Sequence, residues 1–238
     1  MTRQQMTRRE LMVAAGGLGF TGVPGALNPS HASDLGSALS IKAAIARLKL
    51  GNERFVNGEP RHFRSAKRWR DHLVEGQNPF AVVLGCADSR VPIELVFDQG
   101  FGDLFVIRNA GNVVMDDVAG SIEYAVKHLH TKLVVVMGHE GCGAVTAAFK
   151  NRKERRTEPP ELQTVLKLIE PAIAHLNPNE HDAIAKGVEA NVLWSVKNMV
   201  RLQKERNRAA DFSIVGAVYE LQSGRVRFLD PSPEVPVR

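Results

Sequence analysis

Residues 133–145, LVVVMGHEGCGAV, constrain the chain most, because an apolar run stops there at two side chains able to hold a metal. Leu133 to Met137, closed by Gly138, read as a strand buried on both faces. The small residues that follow suit a sharp turn into a helix beginning near Ala144. His139 and Cys142 are thereby delivered to a strand's carboxyl end. An imidazole and a thiol on such a turn can reach one ion at about 2.0 to 2.3 Å, the bond lengths of zinc. A second apolar run, AVVLGC at residues 81–86, ends in the same way at Cys86, and Ala87, Asp88, Ser89 and Arg90 follow it.

The remaining periodicities surround these two strands with helices. Helical spacing is predicted over 37–56 (Leu39, Ile41, Ile45, Leu48, Phe55), over 61–74 (Phe63, Trp69, Leu73), and over 121–130. Further helices are predicted over 162–176, interrupted near Pro171, and over 181–203. Residues 80–85, 104–108 and 212–221 read as strands, and Ser223 with Gly224 turns the last of them into 225–229. Strands alternating with helices predict an α/β fold, with a mostly parallel β-sheet flanked by helices and a C-terminal edge hairpin or antiparallel strand.

At 238 residues and 44% hydrophobic, with no internal repeat, the chain suits one domain over 33–238. The net charge of +5 is modest, and the basic clusters at 61–70, 150–156 and 201–208 are broken by acidic or apolar residues. They read as solvated helix faces, so no nucleic-acid partner is expected. Residues 1–32 read as an export signal to be cleaved before Ser33. Arg8 and Arg9 precede a weakly apolar stretch from Leu11 to Phe20, in the manner of a twin-arginine signal recognised by export machinery. That stretch is too short and glycine-rich to span a bilayer, so no stable membrane anchor is expected. A periplasmic or secreted location follows, the alternative being a disordered N-terminus on a cytoplasmic protein. The two cysteines are the only ones in the chain. In an exported protein they could instead form a disulfide.

Cys86, His139 and Cys142 together make three ligands, which leaves a fourth position for water and marks a catalytic rather than a closed zinc site. Two thiolates cancel the ion's formal charge, so another group must help to orient the nucleophile. Asp88 is the candidate, with Arg90 placed to hold its carboxylate; the alternative is a structural salt bridge. His139-Glu140 does not extend to an HExxH protease motif, because position 143 is glycine.

With these residues in view, the chain resembles the β-class carbonic anhydrases. The resemblance runs through GNERFVNG at 51–58, GQNPFAVVLGCADSRVP, FDQGFGDLFVIRNAGN, GSIEYAV, VVVMGHEGCGAV and IVGAVYEL at 214–221. It implies one Zn2+ per subunit on Cys86, His139 and Cys142, with Asp88 and Arg90 as the catalytic dyad. It also implies that Gln77 binds substrate from across a dimer interface. Phe105 and Tyr124 would line an apolar cleft, their alternative being core packing, and Gly143 would let the backbone approach the metal site. The implied reaction is reversible hydration of carbon dioxide to bicarbonate and a proton, in a homodimer or homotetramer. The same scaffold could hydrolyse carbonyl sulfide or carbon disulfide. A non-catalytic zinc or redox protein is the reading from another class. One departure stands out. Val83 occupies the place where a subgroup carries the tryptophan of a regulatory bicarbonate pocket, although Arg108 matches that pocket's arginine. An open site with Asp88 off the metal is therefore expected.

Overall fold

The two apolar runs form the central strands of a five-stranded sheet in the order β2-β1-β3-β4-β5. They are β1 (Ala81–Cys86) and β3 (Leu133–His139), each buried along its whole length. Beside them lie β2 (Leu104–Asn109) and β4 (Ser213–Tyr219), both parallel to their neighbours. The edge strand β5 (Val226–Phe228) runs antiparallel to β4, as a C-terminal hairpin. The computed structural model describes residues 39–61, 67–150, 157–205 and 212–229. The expected export segment 1–32, the residues before Leu39, Phe63 and the proline-rich tail 231–238 lie outside them. Among the described residues no helix is long and apolar enough to cross a membrane.

Period-two alternation along the strands separates two cores. Val82, Leu84, Val134, Val136, Ile214 and Val218 face α4 (Asp116–His128), α5 (Gly143–Phe149), α6 (Pro160–Ile173) and α7 (Ala183–Glu205). Ala81, Val83, Leu133, Val135, Met137 and Ala217 face α1 (Ile41–Val56) and α3 (Ile93–Val96). The short helix α2 (Lys67–Leu73) precedes β1. Ser40 caps α1, its Oγ accepting the Ala43 N–H at 3.2 Å, and places Ala44 and Leu48 against the sheet.

Close contact fixes α1 to the loop after α3. Arg47 and Arg54 pair with Asp103 and Asp98, whose side chains are almost fully buried. Gly51 lets the helix backbone reach that loop: a Cβ there would stand 1.8 Å from the Phe97 carbonyl oxygen and 2.8 Å from Gln99 Nε2. A backbone oxygen cannot rotate aside. Gly51→Ala is therefore expected to destabilise the fold by about 3 kcal/mol, measured by urea unfolding. A midpoint equal to wild type would show that α1 does not dock in this way.

Two sequence expectations are corrected. The helix predicted from Ser121 begins at Asp116, because Asp116 and Asp117 supply the acidic first turn that its positive end favours. Pro171 does not interrupt α6. It lies two residues from the helix end and removes one backbone hydrogen bond, while Ala172 and Ile173 beyond it are buried.

Candidate metal centre

Cys86 closes β1 and His139 closes β3, and these strands are parallel neighbours, so both side chains arrive at one edge of the sheet. The strand order reverses its direction of travel between β1 and β3, and such a switch point at carboxyl ends is where open α/β sheets hold ligands. A turn through Gly141 returns Cys142 to the same place as the N-cap residue of α5. The two sulfurs and a His139 ring nitrogen lie within 4.8 Å of one another, and all three residues are buried.

The donor set fits a divalent cation. His139 Nδ1 lies 2.9 Å from the Glu140 carbonyl oxygen, which can only accept, so Nδ1 carries the ring proton. Nε2 then presents a lone pair, and it is buried with no hydrogen-bond partner. A polar atom in that condition is costly unless a cation meets it. Both cysteines are free thiols. The Cys86 thiol is pulled well down, first by the hydrogen bond from Cys142 and also by the Gly111 N–H, against the effect of burial. The same bond to Cys86, together with burial, pushes Cys142 up. Two sulfurs competing for one proton beside a bare imidazole nitrogen make a set that zinc completes with one position to spare.

Asp88 lies beside this cluster, with Oδ2 3.8 Å from His139 Nε2. Its carboxylate accepts from Arg90 Nε at 2.9 Å, Arg90 Nη2 at 2.8 Å and the Arg90 backbone N–H at 2.9 Å. The guanidinium beside it holds the Asp88 carboxyl well below the usual carboxylate range. Arg90 Nη2 also reaches the Gly141 carbonyl at 3.4 Å, which joins the Asp88 loop to the metal turn.

Three supports were not apparent from sequence. Arg108 donates to the carbonyls of Cys86 (3.0 Å) and Asp88 (2.7 Å), so the fork matched to a regulatory anion pocket braces this loop, and Val83 lies in the core on the far face. Gly111 directs its N–H at the Cys86 sulfur, 3.4 Å away. Glu140 clamps the metal turn to the end of β4: its N–H donates to the Tyr219 carbonyl at 2.9 Å, and its Oε2 accepts from the Leu221 N–H at 2.9 Å. Glu140→Ala is expected to lower stability by about 1 kcal/mol through the lost hydrogen bond, read by urea unfolding of the metal-loaded protein. An unchanged midpoint would mean that the carboxylate holds nothing.

Of the other expected site residues, only Gly143 adjoins the cluster; Phe105, Tyr124 and Gln77 are not gathered there within one chain. Phe105 pairs with Val82, four positions short of Cys86 and thus about 13 Å along the strand. Tyr124 is 48% exposed and stands with Phe105 and His128, at ring separations of 6.3 and 5.3 Å. Gln77 is exposed in the loop before β1. Gly143 follows Cys142 directly, and a Cβ built on it would meet no atom within 4 Å, so open space rather than close packing adjoins it.

A carbonic anhydrase family model matches residues 81–226. Carbonic anhydrase 2 of Mycobacterium tuberculosis is 39% identical over 191 residues, covering 79% of this chain and 92% of that protein. The chain belongs to the β-carbonic anhydrases. Solved β-carbonic anhydrases share the fold of this one. The structure of the β-carbonic anhydrase CcaA matches with a TM-score of 0.61 at 28% identity, covering 80% of this chain and 97% of that one. A tetrameric β-carbonic anhydrase of Sordaria macrospora matches with a TM-score of 0.57 at 26% identity, over 76% and 91% of the two chains. In this carbonic anhydrase the matched stretch runs from the first residue of β1 to the first of β5, so it contains every residue of the cluster.

Proposed function

We propose that this enzyme holds one Zn2+ per subunit on Cys86, His139 and Cys142 and catalyses the reversible hydration of carbon dioxide. The observation that carries this reading is His139 Nε2, a buried lone pair facing two buried sulfurs with nothing else to satisfy it. Zinc supplies a position where water binds with its pKa brought towards neutrality. The chain's own residues supply the orientation. An ionised Asp88 can only accept, and Arg90 fixes it in place by three hydrogen bonds. It accepts a hydrogen bond from the attacking water and so turns an oxygen lone pair towards the substrate carbon. One C–O bond forms, a carbonyl electron pair moves onto oxygen, and one proton leaves to buffer. Elemental analysis of the purified enzyme tests the metal: about one zinc per chain is expected, and protein that hydrates carbon dioxide without zinc would overturn the reading.

The substrate cleft is completed between subunits of a homodimer or homotetramer. What supports this is the free edge of β2, whose Leu104, Phe105, Val106 and Ile107 are only half buried, and the exposed Tyr124 beside it. Gln77 from a second copy would then reach substrate. Native mass separates these states, and a monomer with full activity would exclude the shared cleft. The enzyme is exported by the twin-arginine route. This rests on Arg8 and Arg9 ahead of Leu11 to Phe20. Changing both arginines to lysine is expected to retain the protein in the cytoplasm, as read by cell fractionation, and unchanged export would refute the route.

A further inference from the structure

Behind Cys86 lies a buried polar seam that the reaction does not touch. Gly111 has φ 72, and this left-handed conformation turns its N–H to the Cys86 sulfur at 3.4 Å. Its carbonyl receives Asn191 Nδ2 at 2.8 Å, 80 residues away in sequence. Asn112, also left-handed at φ 45, has its carbonyl held by Ser195 Oγ at 3.2 Å. Asn191 and Ser195 are four residues apart on α7, hence on one face, and are 1% and 2% exposed. The residues around them on α7, Val188, Val192 and Val196, belong to the aliphatic core. Two buried polar side chains on such a face cost desolvation; their donors, Asn191 Nδ2 and Ser195 Oγ, both go to carbonyls of the single turn that faces the metal thiol, while Asn191 Oδ1 is buried without a partner.

We propose that Asn191 and Ser195 are positioning residues for the metal centre, holding the Gly111 N–H on the Cys86 sulfur and thereby setting how much charge that sulfur gives to the ion. This rests on the zinc reading above. Two thiolates neutralise a divalent cation formally, and an N–H···S hydrogen bond withdraws electron density from one of them, which returns Lewis acidity to the ion. With the turn released, the sulfur becomes the stronger donor and bound water the weaker acid.

The test uses the zinc enzyme and its cobalt(II)-substituted form, with the variants Asn191→Leu and Ser195→Ala. Asn52→Ala serves as the control, because Asn52 is likewise buried and holds backbone groups (the Val96 and Gly224 carbonyls and the Val226 N–H) on α1, away from the metal turn. In Asn191→Leu the sulfur-to-cobalt charge-transfer band is expected to move to lower energy. Zinc should be retained, and kcat should fall about tenfold with KM little changed. Ser195→Ala shifts the band in the same direction by less, and it decides the matter should Asn191→Leu fail to fold. Asn52→Ala lowers the unfolding midpoint and leaves the band in place. A wild-type band in both α7 variants, or an equal shift in Asn52→Ala, overturns the proposal. A wild-type protein that shows no sulfur-to-cobalt band overturns the zinc reading instead.

Discussion

Stripping the purified enzyme of metal with a strong chelator is expected to take carbon dioxide hydration to the uncatalysed rate, and added Zn2+ to restore it. The loss should be about a thousandfold or more, because water without the ion holds its proton with a pKa near 15.7 rather than one near 7. No side chain of the cluster replaces that effect. Asp88 has a depressed pKa, which makes it a weak base, and it is occupied by Arg90. His139 has its one free nitrogen turned to the sulfurs. His139→Ala is the matching variant: two thiolates and a gap should hold less than one zinc per chain, and activity should fall with metal content. Full hydration by a metal-free sample would remove the ion from the reaction.

Asp88→Asn is expected to keep its zinc and lose about a hundredfold in kcat, with KM little changed. The substitution is close to isosteric, so the loop braced by Arg108 should persist. An amide, however, replaces one acceptor oxygen with an N–H donor and lowers the attraction to Arg90. The acceptor that orients the attacking water is weakened, while the three metal donors are left as they were. Stopped-flow hydration assays with zinc content measured on the same sample separate the two effects. Unchanged turnover at full zinc occupancy would remove Asp88 from the mechanism. Activity lost in proportion to zinc would make Asp88 a support of the metal site only.

What could be read from sequence was what short stretches of chain encode. The runs ending at Cys86 and His139 gave two buried strands and their polar ends, and the Ser223–Gly224 turn gave the antiparallel edge, with Gly224 at φ 74. The CADSR stretch placed Asp88 and Arg90 two residues apart, near enough for the guanidinium to reach the carboxylate. Arg108, Gly111, Asn191 and Glu140 were not legible as parts of the site. Each acts through a backbone group, and side-chain-to-backbone hydrogen bonds between residues 22 to 81 apart leave no spacing to recognise. The start of α4 was not legible because the apolar run Val113 to Met115 stops at the boundary and Gly120 breaks the periodicity inside the helix, so the acidic pair Asp116 and Asp117 was the only signal. Phe105 and Tyr124 follow a different logic. Phe105 is half buried and Tyr124 exposed on a flank away from the cluster, so only the second copy proposed above would bring them to a substrate.

The placement of Cys86 and His139 at the tips of adjoining strands has a consequence for biosynthesis. A ribosome must release the chain through residue 142, and β1 must then find β3 across an intervening strand and two helices, before any coordinating pocket exists. Capture of the proposed ion would thus report the pairing of β1 with β3, and a chain ending before Cys142, or mispaired at those strands, would have no complete donor set.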